Sequence, residues 1–316
     1  MPRVRKAAAA ALLLTATGST STAAAHAQPY AAPRTAPELS AATLDARYRA
    51  ARQDIARALA TAERFHDDDR ARALSSFLAD GRRFLYVDPR GDGRAVEVIG
   101  DLEHADRIAI VVPGADNTLT NYDDPKFVGG DTRALYRQAQ ADAPGERIAA
   151  IAWLGYDSPS TLSPGVLSSG NAVDGAQSLK RLLTGVHRVN GHARFALLCH
   201  SYGSVVCAKA ARPLASLPVE DIALYGSPGT TKDDAAGLGT PARVWAGRAK
   251  GDWMRFVPNI RFAGLGFGAD PVSPGFGALR FDAGTGPHSG YLKPGSLALR
   301  NLALIALGRA TEVTRA

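Results

Sequence analysis

The sequence predicts an α/β fold: a mostly parallel central sheet flanked by helices, with a helical extension at the N-terminal side. Three observations predict it. Apolar runs of strand length alternate with helical stretches from Arg107 to Leu307, the rhythm of strand–helix–strand crossovers. Two further strand-like runs joined by a tight turn precede them. A serine sits between an apolar run and a compact helix-forming run at Cys199-His200-Ser201-Tyr202-Gly203.

In order along the chain, Arg3, Arg5 and Lys6 precede an Ala- and Leu-rich run, and a small-residue segment ends in Ala25-His26-Ala27. This has the form of a secretory leader, expected over residues 1–27 with cleavage after Ala27. The run is too short and too interrupted by Thr, Ser and Gly to span a bilayer. Residues 28–37 read as a flexible linker. A helical extension is expected over 38–80, from Leu44, Tyr48, Ile55, Leu59, Ala62 and Phe65 at three- and four-residue steps. Asp67-Asp68-Asp69 breaks the pattern and caps a second helix; the triplet lacks the spaced ligands of a calcium loop.

The main domain is expected over 81–316. Strands are predicted at 84–87, 95–99, 107–112, 147–153, 195–198, 222–225 and 243–246, with Pro89–Gly93 as a hairpin turn. Helices are predicted at 131–141, 173–189, 204–211 and 297–307, and Pro213 stops the third of these.

The 316 residues carry a formal net charge of +7. Three of those positive charges lie in the leader. Arg is dispersed among Asp and Glu with no basic block, which excludes a nucleic-acid-binding signature. The seven histidines are scattered without metal-ligand spacing, so no metal and no cofactor is expected. Gly264-Leu265-Gly266-Phe267-Gly268 lacks the strand–turn–helix frame that a dinucleotide loop needs.

A serine at a sharp strand-to-helix turn has the form of a nucleophile elbow. The turn lifts the hydroxyl above the sheet edge, and the helix N-terminus offers backbone N–H groups to a developing oxyanion. Gly203 supplies the small residue after the serine; Cys199 stands where the pattern has glycine. In this architecture the chain order is Ser, acid, His. His288 is the one histidine after Ser201, on a loop before the last helix. The acid must lie between them. Asp252 follows the 243–246 strand at the ligand-binding edge and is preferred, with Asp233 or Asp234 the second choice. Asp270 is expected to fix a loop, and Asp157 to cap a turn before Pro159. The oxyanion donors are expected to be the backbone N–H of Tyr202 and, from the Pro113–Asn117 loop, that of Ala115, with Asp116 second.

Pro113-Gly114, Trp153-Leu154-Gly155-Tyr156-Asp157, His200-Ser201-Tyr202-Gly203-Ser204, Gly226-Ser227-Pro228-Gly229, Asp270-Pro271, Phe276-Gly277 and His288-Ser289-Gly290-Tyr291 occur in that order. As a set they resemble an α/β-hydrolase family of actinobacterial type, over roughly residues 80–310. The resemblance implies the α/β-hydrolase fold and a catalytic serine and histidine at Ser201 and His288. It implies no substrate.

The expectation is therefore a secreted, monomeric serine hydrolase, most simply a carboxylic ester hydrolase acting on a small-molecule or lipid ester. The alternatives are an amidase or peptidase with the same triad, or a non-catalytic cell-envelope protein on a hydrolase scaffold. Trp253, Met254, Phe256, Val257, Ile260, Phe262, Leu265 and Phe267 form either an apolar wall for an acyl group or a hydrophobic cluster under a loop. Cys199 and Cys207 are the only cysteines. In an oxidising compartment an even count favours pairing, but only the close approach of strand and helix at the elbow would bring them within range; the alternative is two buried thiols packed as small hydrophobes.

Overall fold

A computed structural model describes residues 29–161, 169–257 and 267–316. The expected leader, most of the Gly264–Gly268 stretch, and Ile260, Phe262 and Leu265 lie outside the described residues. No helix among the described residues is long and apolar enough to cross a membrane.

The sheet has eight strands: β1 (Arg83–Asp88), β2 (Arg94–Ile99), β3 (Arg107–Val112), β4 (Ile148–Leu154), β5 (Arg194–His200), β6 (Val219–Tyr225), β7 (Arg243–Gly247) and β8 (Leu279–Arg280). Their spatial order is β1-β2-β4-β3-β5-β6-β7-β8. β2 runs antiparallel to both neighbours, because a hairpin joins it to β1; from β4 to β8 every pair is parallel. β8 has two residues, both exposed, and offers no apolar run from which a strand is legible.

β3 and β4 are buried along their whole length, as strands covered on both faces must be. Ile108, Ile110 and Val112 pack into one core, and Ala109 and Val111 into the other. Helices α4 (Gly170–Val189) and α5 (Gly203–Ala211) cover the first face, through Leu179, Leu183, Val205 and Val206. Helices α3 (Val128–Asp142) and α6 (Leu297–Ala306) cover the second, through Leu135, Leu302 and Ile305.

The helical extension is α1 (Leu44–Arg64) and α2 (Asp68–Phe77), and Asp67 caps α2 by accepting from the Arg70 N–H at 3.3 Å. Ile55, Ala62, Leu74 and Phe77 join the second core, so the extension completes the cover over β1. Next to the extension, Tyr30 is buried and its hydroxyl donates to Asp67 at 2.7 Å, whereas most other residues of the 29–37 stretch are exposed.

Two buried ionic networks fix the frame. Glu97 on β2 accepts from Arg82 at 2.7 Å and from Arg133 of α3 at 3.0 Å, and both arginines also reach Asp123. At the opposite end of the sheet, Asp221 of β6 accepts from Arg243 at 2.7 Å and from the Trp245 indole N–H at 2.8 Å. The whole of the candidate site lies at the other edge, beyond the carboxyl ends of β3, β5 and β7.

Candidate active site

The elbow begins with strain. Ser201 has φ of 50°, a left-handed conformation that costs a non-glycine residue on the order of 1 kcal/mol or more. Its N–H donates to the Tyr225 carbonyl of the neighbouring strand at 2.9 Å. Two close approaches hold the turn. A Cβ on Gly203 would stand 2.6 Å from the carbonyl oxygens of both Val112 and Pro113, and one on Gly114 would stand 2.7 Å from the Ser201 Cβ. Both positions therefore require glycine.

Cys199 and Cys207 form a disulfide across the elbow, with Cα atoms 6.4 Å apart. The strand before Ser201 is thus bonded covalently to the helix after it. The Ser204 hydroxyl adds a hydrogen bond to the Cys199 carbonyl at 3.1 Å.

The structure brings Ser201, His288 and Asp252 into one hydrogen-bonded chain. His288 Nε2 lies 3.0 Å from Ser201 Oγ, and His288 Nδ1 lies 2.8 Å from Asp252 Oδ1. Asp252 follows β7 and opens a 3-10 turn over Trp253–Phe256, its Oδ1 also accepting from the Met254 N–H at 2.8 Å. Oδ2 accepts from the Tyr291 hydroxyl at 2.6 Å, and that hydroxyl accepts from the Ala249 N–H at 3.0 Å. Asp252 is fully buried. Burial raises its pKa, but the His288, Tyr291 and Met254 hydrogen bonds outweigh it and hold the carboxyl below its ordinary value. Asp252 is therefore a charged acceptor beside the imidazole.

The other candidate acids lie elsewhere. Asp233 and Asp234 are exposed, and Asp234 accepts from the Gly237 N–H at 2.7 Å. Asp270 fixes its loop, pairing with Arg248 at 2.7 Å. Asp157 pairs with Arg94 at 2.6 Å, where a turn cap was expected.

The loop after β3 faces the serine. The Gly114 carbonyl accepts from the Ser158 hydroxyl at 2.7 Å and the Tyr156 hydroxyl at 3.2 Å. The peptide is trans, so the Ala115 N–H points opposite to that carbonyl. Among the described residues it has no hydrogen-bond partner. The Asp116 N–H, the second choice, is taken by the Pro159 carbonyl at 3.0 Å. Asn117 is buried and bridges the loop to α3, accepting from the Val128 N–H at 3.0 Å. The Tyr202 backbone lies at the start of α5, as its N-cap.

Two residues of the site were not singled out from sequence. Tyr291 is one. The other is His200, whose Nε2 lies 2.8 Å from the His288 carbonyl. Its ring stacks on Tyr225 at 5.1 Å and lies 4.9 Å from the His288 ring. Burial, reinforced by His288, pushes the His200 pKa down to about 3. The ring is therefore neutral, and since a carbonyl only accepts, Nε2 carries the proton. The usable signal was position: a residue next to the nucleophile points into the neighbouring strand end, where a polar group must find a partner.

Of the apolar stretch after Asp252, Trp253 is 50% exposed with its ring 4.8 Å from that of His288, and Phe256 is 76% exposed. Met254 and Phe267 are buried, Phe267 against Tyr202. The described residues of the stretch divide between exposed Trp253 and Phe256 and buried Met254 and Phe267.

A protein-family model described as Abhydrolase_8, alpha/beta hydrolase, matches residues 88–262. The chain belongs to the α/β-hydrolase family. Among the chain's curated relatives is the Mycobacterium tuberculosis protein Rv2079, described as uncharacterized, 32% identical over 253 residues. That match covers 69% of the chain but only 37% of the relative, so the chain spans little more than a third of that protein's length. A second uncharacterized protein of the same organism, Rv0963c, is 33% identical over 179 residues, covering 53% of the chain and 66% of the relative. Solved structures similar to the chain include XC6422 from Xanthomonas campestris, described as a serine hydrolase without lid. It is 16% identical with a TM-score of 0.44, covering 75% of this chain and 98% of that one. Esterase LipW from Mycobacterium marinum is likewise 16% identical with a TM-score of 0.44, covering 87% and 97%.

Proposed function

We propose that this α/β hydrolase is a secreted serine hydrolase that cleaves carboxylic esters through an acyl-enzyme. The observation that carries the reading is the hydrogen-bonded chain from Ser201 through His288 to Asp252.

In the proposed reaction, His288 Nε2 takes the proton of Ser201 as Oγ attacks the carbonyl carbon. Asp252 keeps Nδ1 protonated and stabilises the imidazolium. The oxyanion of the tetrahedral intermediate is received by the N–H groups of Tyr202 and Ala115. The intermediate collapses as His288 returns the proton to the leaving alkoxide, which departs as the alcohol. Water, deprotonated by His288, then attacks the acyl carbon and releases the carboxylic acid and free Ser201. Trp253 offers an apolar surface beside the base for one arm of the ester. Secretion is supported by the leader composition and by a disulfide suited to an oxidising compartment.

A fluorophosphonate probe tests the nucleophile. The expected result is one label per chain, abolished in Ser201→Ala; equal labelling of the variant, or none of the parent chain, would sink the reading. A panel of p-nitrophenyl esters and matched anilides then separates ester from amide cleavage.

A further inference from the structure

A second concavity lies at the β1–β2–β4 side of the sheet. It is a cleft of about 760 Å³ between the Glu38–Arg47 stretch, the β1–β2–β4 edge and the C-terminal half of α4. That volume suits a small-molecule ligand. Leu85, Val96 and Trp153 form its floor, with Tyr86 and Leu182 in its walls. No residue of the Ser201–His288–Asp252 chain borders it.

Its charge is one-sided. Arg47, Arg94, Lys180, Arg181 and Arg188 line it against the single carboxylate of Glu38, whereas the whole chain carries 37 basic residues to 30 acidic ones. Glu38 is spent on Arg188, and Arg94 is paired outward with the exposed Asp157. The remaining three cations have no carboxylate partner among the described residues. Arg47 donates to the Pro37 carbonyl at 3.0 Å, while its Nε is buried with no partner. Arg181 reaches only the Ser178 hydroxyl, at 2.8 Å. Burial holds the Arg47 pKa below its ordinary value: the protein desolvates this guanidinium without supplying an anion. A half-buried guanidinium with no carboxylate beside it and its Nε unpartnered is costly, and an anionic ligand offsets that cost.

We propose that the cleft binds an amphiphile with one anionic head, a carboxylate or phosphate monoester on an alkyl body. The head sits against Arg47, Lys180 and Arg181, and the alkyl body lies over Leu85, Val96 and Trp153. Charge complementarity selects the head and the apolar floor selects the tail. The proposal does not rest on the reading of the Ser201 site.

The test is calorimetric titration of the full chain carrying Ser201→Ala, which prevents turnover, with octanoate, octyl phosphate, octanol, acetate and inorganic phosphate. Octanoate or octyl phosphate should bind one per chain, and which of the two is tighter tells carboxylate from phosphate. Octanol and the bare anions should bind at least roughly tenfold more weakly. Lys180→Glu with Arg181→Glu changes two exposed side chains. It should weaken the anionic octyl ligands by roughly tenfold or more, with an unchanged thermal midpoint and unchanged fluorophosphonate labelling in the Ser201 background. Acetate or phosphate binding as tightly as the octyl anions would reduce the cleft to a simple anion site and overturn the proposal. Octanol binding as tightly would remove the role of charge. Unchanged affinity in the double variant would move the ligand out of the cleft.

Discussion

At the residue scale, three side chains decide how the site is held. Gly203 has no room for a methyl group beside the Val112 and Pro113 carbonyls. Gly203→Ala should lower the unfolding free energy by about 2–3 kcal/mol in urea titrations, and fluorophosphonate labelling should fall with it. His200 has a pKa of about 3 in the folded chain, below the ordinary ~6.5 of an unfolded histidine. Its neutral form is the one that the fold accepts. The stability it contributes is present in full above the unfolded value and is lost as pH falls from there toward the folded value. By pH 5 the loss amounts to roughly 2 kcal/mol. His200→Phe keeps an aromatic ring but no proton, so its stability should fall less steeply between pH 6.5 and pH 5; parallel curves would show that His200 titrates normally. Asp252→Asn removes the charged acceptor at Nδ1. By analogy with serine-protease triads, kcat should drop by up to ~10⁴-fold with the fold retained, whereas Asp234→Asn should leave it unchanged.

At the element scale, the elbow is one strand and one helix joined twice, through the main chain and through the Cys199–Cys207 disulfide. The loop that the bond closes is short, so its contribution is about 2–3 kcal/mol. Reduction under mild denaturant, or Cys199→Ala with Cys207→Ala, should lower the unfolding free energy by that amount. The larger consequence is geometric. The disulfide holds the strand-to-helix angle against the strain at Ser201, so the reduced protein should lose labelling rate before it loses secondary structure by circular dichroism. Simultaneous loss of both would make the bond only a global stabiliser. The loop after β3 is held differently, by side-chain bonds from Tyr156 and Ser158 to the carbonyls of Pro113 and Gly114.

At the scale of the whole molecule, the sheet keeps its chemistry at one edge and its ionic fastening away from it. Glu97 lies 2% exposed between Arg82 and Arg133, tying the start of β1 through β2 to α3. Glu97→Ala leaves two guanidinium groups sharing Asp123, and should cost about 3–5 kcal/mol. α1 and α2 lie over β1 with Ile55, Leu74 and Phe77 in the same core as Phe84 and Val87. They are part of the domain's cover rather than an appendage, and a chain starting at residue 81 should be insoluble or bind hydrophobic dyes.

What the sequence determined by itself is whatever depends on local pattern and chain order. Apolar runs marked the strands from β1 to β7, because a strand buried on both faces leaves few polar positions. The order of Ser, acid and His along the chain left His288 as the base for Ser201, and position at the sheet edge favoured Asp252 over Asp233 or Asp234; the structure joins Ser201, His288 and Asp252 by hydrogen bonds. The pairing of Cys199 and Cys207 was left open by sequence, since a helix on a sheet normally stands too far away; the glycine-dependent approach at the elbow closed that distance. Tertiary structure alone decided the rest. His200 and Tyr291 reach the site through partners 88 and 39 residues distant, and no local pattern encodes such a meeting. β8 is too short to carry a pattern. The cationic cleft draws Arg47, Arg94 and Lys180 from three separate elements. In the sequence they are dispersed charges; only folding brings them to one cleft, with Glu38 as the single carboxylate in its lining.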